Sequence, residues 1–366
     1  MTTSTGARGG RTAPRTTRPA NLPSESTLPQ RAAMDVFLVA GAIAGQSPEQ
    51  AVRRALDHGV AAERAGFDGA WIAEHHFIRY GGCPSAIAFA GHLLGRTARI
   101  TVGTAACVLS TRHPVALAEE AILLDTLSDG RFRLGVARGG PWVDLEVFGS
   151  SLERLEHGFP ESLDLLTRWL SGAERIAGTG PLFGFREVTV VPRAHRPVPV
   201  LVAATSSATV AVAAARGLPL LLGLHATDAE KVTMLDRYAE IAAAHGHAPE
   251  TIPHASAHLA QVAGSRREAA ALLRSTMPAW LATTGDYVRI DGRPPSHRDQ
   301  AAYLDMLLSS HPIGSPAECA DRLAATVAAT GVHRVLLLAE AAGDPHRVRD
   351  NIDRLACEVA PAALDR

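Results

Sequence analysis

The stretch "TVGTAACVLSTRHPVALAEEAILLDTLSDGRFRLGVARGG" (residues 101–140) contains a complete strand, helix and strand in succession. An apolar, β-branched run ends near Leu109, Pro114 opens a helical segment that reaches Ser128, and "FRLGVA" (132–137) begins the next strand. Proline in a first helical turn and glycine just past a last one are the ordinary punctuation of helices. Apolar runs without alternation read as strands covered on both faces, the pattern of a parallel sheet.

Working outward, the same alternation fills the chain. Strand-like runs recur at 35–40 (DVFLVA), 69–73 (GAWIA), 99–109 (RITVGTAACVL), 132–137, 198–204 (VPVLVAA), 218–223 (LPLLLG), 258–263 (HLAQVA) and 333–338 (HRVLLL). Helical segments at 48–65, 114–128, 150–171, 207–216, 228–246, 265–282 and 316–330 lie between them, and Gly66, Gly130, Gly217 and Gly331 stand where helices end. Eight strands alternating with helices, without an internal repeat, predict an α/β fold of the (β/α)8 TIM-barrel type. A doubly wound open sheet is the rival. Its dinucleotide fingerprint should sit in the first strand-to-helix turn, whereas "GVARGG" (135–140) has the wrong spacing and follows the fourth strand. No GxxxxGK[ST] or GxSxG motif is present either.

Composition narrows the function. The 366 residues carry a formal net charge of −1, with no long run of one sign, which argues against nucleic acid or an anionic membrane as the main partner. Lys231 is the only lysine, so a Schiff base is confined to that position. Cys83, Cys107, Cys319 and Cys357 are widely spaced and form no CxxC, consistent with the reducing cytoplasm. Residues 1–33 are rich in Thr, Arg, Pro and Gly and are expected to be a disordered tail ahead of a single domain, 34–366, with Met34 a candidate start. No membrane-length apolar stretch occurs.

A barrel presents its chemistry where strands end. Those positions hold Glu74, His75 and His76, then Ser110, then Arg138 and Gly139, then Thr205 and Ser206, then His225. His75 and His76 are adjacent and point to opposite sides of an extended chain, so a shared metal is disfavoured and no metal site is expected. "ATSSAT" (204–209) opens a helix. Its hydroxyls and backbone N–H groups suit either a plain Ser cap or a phosphate, and an arginine at the preceding strand end favours the phosphate.

Several blocks carry a family resemblance: "AERAGFDGAWIAEHHF" (62–77), the 101–140 block, "VFG" (147–149), "PVLVAATSSATVAVAAARGLPLLLG" (199–223) and "IGSPAECADRL" (313–323). Together they resemble the bacterial luciferase-like flavin monooxygenases over nearly the whole chain from residue 34. The resemblance implies a barrel that binds reduced FMN supplied by a separate flavin reductase and reacts it with O2 through a flavin peroxide, to oxygenate a small organic substrate. It also implies a homodimer formed through helices near 84–97 and 114–128. Carried over residue by residue, Arg138, Ser206 and Thr209 match the phosphate-binding positions, and His75 matches the catalytic histidine. Ala105 and Ala106 match a pair joined by a non-prolyl cis peptide against the flavin ring, and Asp144 matches an acidic residue near the flavin. The candidate set is therefore His75 and Asp144 for catalysis, and Glu74, Ala105, Ala106, Arg138, Thr205, Ser206 and Thr209 for the cofactor.

The chain departs from luciferase at Thr205, where the family member has Glu, and at Ala137, where it has a reactive Cys. Residues 281–300 fall where the family carries a mobile loop over the site, and Tyr80, Cys83, Trp142, His225 and Trp280 are candidate pocket residues. A hydride-transferring oxidoreductase using a deazaflavin and a non-catalytic flavin-binding subunit are the competing readings.

Overall fold

In the computed structural model, eight parallel strands close into a barrel: β1 (Ala33–Leu38), β2 (Gly69–Ile72), β3 (Thr101–Thr104), β4 (Phe132–Ala137), β5 (Val200–Ala204), β6 (Leu220–Leu222), β7 (Ala255–Leu259) and β8 (Arg334–Leu338). Residues 32–41, 46–78, 81–140, 142–282 and 299–364 are described. The β1 ladder with β8 runs from Ala33↔Arg334 to Phe37↔Leu338 and joins the two ends of the chain's sheet. Helices α1 (Pro48–Ala65), α2 (Ala86–Arg96), α3 (Pro114–Leu127), α4 (Phe159–Leu170), α5 (Ser207–Ala214), α6 (Asp228–Ala244), α7 (Pro316–Thr330) and α8 (Pro345–Arg354) follow the strands in turn.

The apolar runs satisfy both faces of the sheet, and the two-residue period sorts them. Val36, Leu38, Ile72, Val102, Leu134, Val136, Val202, Leu222 and Leu337 join the cluster that includes helix residues Leu93, Leu117, Leu166, Val210, Leu323 and Ile352. Phe37, Trp71, Leu201, Leu221, Ala257, Leu336 and Leu338 form the inner cluster. Trp71 fits the barrel interior because its neighbours are glycines. A Cβ on Gly103 would lie 2.3 Å from the indole, and one on Gly69 would lie 2.6 Å from the Asp35 carboxylate. The indole Nε1 donates to Asp35 at 2.6 Å, and Arg334 pairs with the same oxygen. Burial raises the Asp35 pKa, while the Arg334 charge opposes it.

Four boundaries differ from the sequence expectation. The run 99–109 is two pieces, β3 and Cys107–Val108. The β3–β4 register moves from Gly103↔Arg133 to Cys107↔Val136, so four steps on one strand oppose three on the other. The predicted helix at 150–171 breaks into Leu152–Glu156 and α4, since Pro160, in the first turn of α4, lacks a backbone donor to continue the ladder. The seventh strand begins at Ala255, earlier than expected, because Ser256 and His258 interrupt the apolar run with buried polar groups. β1 starts at Ala33, one residue inside the expected tail, and its N–H donates to the His333 carbonyl. The antiparallel hairpin of Arg175–Thr179 and Gly184–Thr189, and the helix Gln300–Ser310, had no clear periodic signal. Most of the expected tail and of the expected loop at 281–300 lies outside the described residues.

The packing against Trp71 sets a testable contrast. Gly103→Ala is expected to lower stability by about 1–3 kcal/mol through overpacking. Gly95→Ala, in α2 with nothing within 4 Å of the added Cβ, should gain about 0.5–1 kcal/mol from helix propensity. Urea denaturation of both variants checks the opposite signs.

Candidate active site

At the C-terminal rim of the barrel, the sequence "AEHHF" divides into three different jobs. Glu74 is buried, and its carboxylate accepts from the backbone N–H of Ala86 at 2.9 Å and of Val108 at 3.0 Å. Arg112 lies 3.3 Å away and His76 3.7 Å away. Burial opposes the charged form, but His76, Arg112 and the two N–H groups outweigh it and hold the carboxyl below its usual pKa. Both oxygens are engaged with protein partners, so Glu74 braces the start of α2 and the continuation of β3.

His75 takes the position facing the rim. Its backbone N–H donates to the Cys83 carbonyl at 2.9 Å. A Cβ on Gly81 would fall 2.2 Å from its Nδ1, so the ring lies directly on that glycine. Burial pushes its pKa down to about 4, opposed by Glu74 and reinforced by His76 and His225, which leaves the imidazole neutral at pH 7. His76 turns the other way. Its ring stands edge-on to Phe148 at 4.8 Å and next to Phe77, beside Glu74.

Asp144 lies on the short helix Trp142–Val147 and is buried. Burial raises its pKa to about 6, with His76 opposing and Glu74 adding to the rise. Asp144 is thus electrostatically tied to His76 and Glu74.

The Ala105–Ala106 peptide is cis. It falls within the extra residue on β3, and the Ala105 N–H donates to the Ile72 carbonyl at 2.7 Å. Thr104 repairs the interrupted ladder: its Oγ1 donates to the Gly135 carbonyl at 2.8 Å and accepts from the Gly135 N–H at 2.9 Å. Gly135 is required there, since a Cβ would meet the Thr104 carbonyl at 2.0 Å.

Arg138 follows β4, and the β4–β5 register of Val136↔Val202, carried on two residues, sets it level with Ala204. Beyond Ala204 the chain exposes Thr205 and enters α5, where Ser206 is the N-cap. The Ser206 hydroxyl accepts from the Thr209 N–H at 3.3 Å and lies 3.0 Å from the Thr209 hydroxyl. Arg138 makes no hydrogen bond or ion pair with the described residues. A guanidinium without a partner among the described residues, carried on the strand next to the one that leads into two hydroxyls at the positive end of a helix, suits a phosphate dianion, so this corner fits the phosphate of a flavin nucleotide.

Of the pocket candidates, His225 pairs through Nδ1 with the Tyr303 hydroxyl, and Trp280 packs against the inner apolar cluster. Cys83 is buried and its thiol is pushed up to about 12 by desolvation, which makes it a poor nucleophile. Tyr80 and the side chain of Trp142 lie outside the described residues. Gly81, Arg112 and Tyr303 were not assigned by the sequence reading, whereas Ser110 was placed at the end of the third strand. The consecutive glycines of "GGC" (81–83) were the available signal for the first. Among the described residues, no group of three His, Cys, Asp or Glu side chains is arranged around a metal site, and no helix is long and apolar enough to cross a membrane.

Stability should record the state of His75. The unfolded chain takes up the proton near the ordinary value of 6.5 and the folded chain near 4, so the unfolded state binds more protons between these values. Stability therefore rises with pH through that window and is lost on acidification. The drop in unfolding free energy between pH 7 and pH 5 should be smaller in His75→Gln than in the parent, by on the order of 1–2 kcal/mol. Identical pH slopes in urea titrations would contradict a neutral, half-buried His75.

Comparison with known proteins bears on the family and the fold. A family model described as luciferase-like monooxygenase matches residues 34–334. The chain is 31% identical over 333 residues to the alkanal monooxygenase alpha chain of the Kryptophanaron alfredi symbiont, covering 86% of this chain and 93% of that one. It is likewise 31% identical over 344 residues to the alkanal monooxygenase alpha chain of Photobacterium leiognathi, covering 88% and 96%. The fold is shared with monooxygenase RslO1 from Streptomyces bottropensis, at TM-score 0.78 and 22% identity over 90% of this chain and 99% of that one. It is also shared with the oxygenating constituent of 3,6-diketocamphane monooxygenase from Pseudomonas putida in complex with FMN (TM-score 0.73, 20% identity, 90% and 98% covered). An F420-dependent secondary alcohol dehydrogenase has the same barrel at TM-score 0.73 and 17% identity, covering 91% and 99%. With its barrel closed, its rim assembled and a family match across most of its length, the chain belongs to the luciferase-like monooxygenases.

Proposed function

We propose that this protein is the oxygenating component of a two-component system that takes reduced FMN from a separate flavin reductase and uses O2 to oxygenate a small organic substrate. The observation that carries the reading is the arrangement of the rim: Arg138, without a hydrogen bond or ion pair to the described residues, follows β4 next to the β5 end that leads into the Ser206 and Thr209 hydroxyls, with a neutral His75 on the same rim. Arg138, Ser206 and Thr209 would hold the FMN phosphate, and Thr205 adds an exposed hydroxyl beside them. The backbone at Ala105 and Ala106 offers a small-residue surface against which the flavin ring would rest. When bound, reduced FMN supplies the electrons that activate O2.

The chain's own part is to bind, orient and move protons. The Nδ1 edge of His75 is against Gly81, so Nε2 is the atom assigned to accept or return a proton during oxygen transfer. A neutral imidazole has that capacity at pH 7. Asp144, with its pKa raised to about 6, is the second proton-carrying group, acting on the His76 side of the rim. The deazaflavin alternative has support in the shared barrel of an F420-dependent enzyme, but at 17% identity against 31% for the alkanal monooxygenases the FMN reading is the better supported. The presence of both His75 and Arg138 favours a catalytic chain over a non-catalytic flavin-binding subunit.

A homodimer packed through α2 and α3 is the proposed assembly, supported by Leu123 and Leu127, which stand 51% and 73% exposed on α3. Sedimentation equilibrium should show a dimer that Leu127→Glu converts to monomer. A monomeric parent protein rules this assembly out.

Product analysis with labelled O2, reduced FMN from a reductase, and candidate aldehydes and cyclic ketones tests the activity. Label should enter the product, and Arg138→Ala should weaken reduced FMN by roughly 10–100-fold, the loss of a charge-assisted phosphate contact of about 1.5–3 kcal/mol. His75→Ala should bind FMN normally and turn over more slowly, with His76→Ala affected less. Turnover supported by a deazaflavin with no label in any product sinks the proposal.

A further inference from the structure

The barrel ladder runs out before the rim does. The β1–β8 pairing ends at Phe37↔Leu338, yet the chain continues through Val39 and Ala40 toward the site. On the β8 side, the next carbonyls are lost as the chain turns into the 3-10 segment Glu340–Ala342. A single carboxylate oxygen replaces them: Glu340 Oε2 accepts from Val39 N–H at 2.6 Å and from Ala40 N–H at 3.1 Å. The other oxygen faces His58 Nδ1 at 3.3 Å, and Arg54, one turn earlier on α1, donates to the Gly41 carbonyl. Glu340, His58 and Arg54 are all buried.

The opposite edge of the same segment is held by the loop that follows His75. The Ala40 carbonyl accepts from Gly82 N–H at 2.9 Å. Space at Gly82 is limited too, with its missing Cβ 3.3 Å from the Ala40 carbonyl and 3.4 Å from the Pro48 carbonyl. Gly81, the preceding residue, is the surface on which the His75 ring rests, and Cys83 receives the His75 N–H. A continuous set of contacts thus leads from the β8 end to the imidazole.

We infer that Glu340 and Gly81 are positioning residues for His75. Glu340, backed by His58 and Arg54, fixes the end of β1; the β1 end fixes Gly82; and Gly81 sets the plane of the His75 ring. The inference rests on the proposed role of His75 in proton transfer, but the positioning itself can be read without turnover. The half-buried His75 ring rests directly on Gly81, so displacing that support moves the nitrogen that handles the proton. Misplacement of a reacting group by about 1 Å costs on the order of 10²-fold in rate.

The test uses full-length protein labelled with 15N-histidine, without flavin, with the His75 ring resonances identified by their loss in His75→Gln. Gly81→Ala is expected to shift them, and Glu340→Ala to shift them in turn. Glu340→Gln, which retains an oxygen for the Val39 and Ala40 N–H groups, should shift them less, and Gly95→Ala should leave them in place. Should Glu340→Ala fail to fold, Gly81→Ala and Glu340→Gln decide: no shift in Gly81→Ala, or a larger one in Glu340→Gln, overturns the inference. With reduced FMN, Gly81→Ala should lower turnover about 10²-fold at unchanged FMN affinity. The Gly81→Ala/His75→Ala double variant should be no slower than His75→Ala, since the two changes remove one effect. Independent, additive losses overturn the inference. A parent protein with no oxygenase activity refutes the functional reading instead, and the resonance shifts still judge the positioning.

Discussion

A parallel barrel must place its site where its own hydrogen bonding ends, because the strand ends that aim residues at a ligand are also the places where backbone donors lose partners. In this protein buried carboxylates take over those donors. Glu74 accepts two N–H groups where β2 and the β3 continuation part, and Glu340 accepts two where β1 outlasts β8. Each is also matched by cationic or titratable side chains, Arg112 and His76 for one and His58 for the other. Without these contacts, the backbone N–H groups of Val39, Ala40, Ala86 and Val108 would be buried without partners, each costing about 1–3 kcal/mol.

The same economy of space explains the glycines. Gly103 and Gly69 admit Trp71 and Asp35 to the barrel interior, Gly135 allows the Thr104 carbonyl to approach, and Gly81 admits the His75 ring. Each position is set by a close approach. The side chains that gain from them are the ones that fill the barrel or face the rim, so packing and function draw on one set of small residues.

Electrostatics divides the rim into two sides. His75 is stripped of its proton by burial, and His225 across the mouth reinforces this. Asp144 is shifted the other way, toward the protonated acid, and answers to His76. The corner proposed for the phosphate, at Arg138, Ser206 and Thr209, follows β4 and β5, where Arg138 has no hydrogen bond or ion pair with the described residues. On the proposed function, a phosphate bound there would leave the His75 side for the chemistry.

The sequence by itself determined the barrel, because eight doubly covered apolar runs with helix punctuation between them have few other ways to bury both faces. It also determined which residues stand at strand ends, since that follows from where each apolar run stops. It misplaced β7, where buried Ser256 and His258 broke the run, and it took β3 as continuous, because an extra residue in one strand has no signature in hydropathy. Tertiary structure alone separated the three neighbours in "EHH": both Glu74 oxygens are spent on Ala86 and Val108, residues distant in sequence, and His75 owes its ring position to Gly81. The partnership of Glu340 with Val39 and Ala40 spans 300 residues. Only closure of the barrel brings β8 beside β1, and so only the folded chain decides what that carboxylate holds.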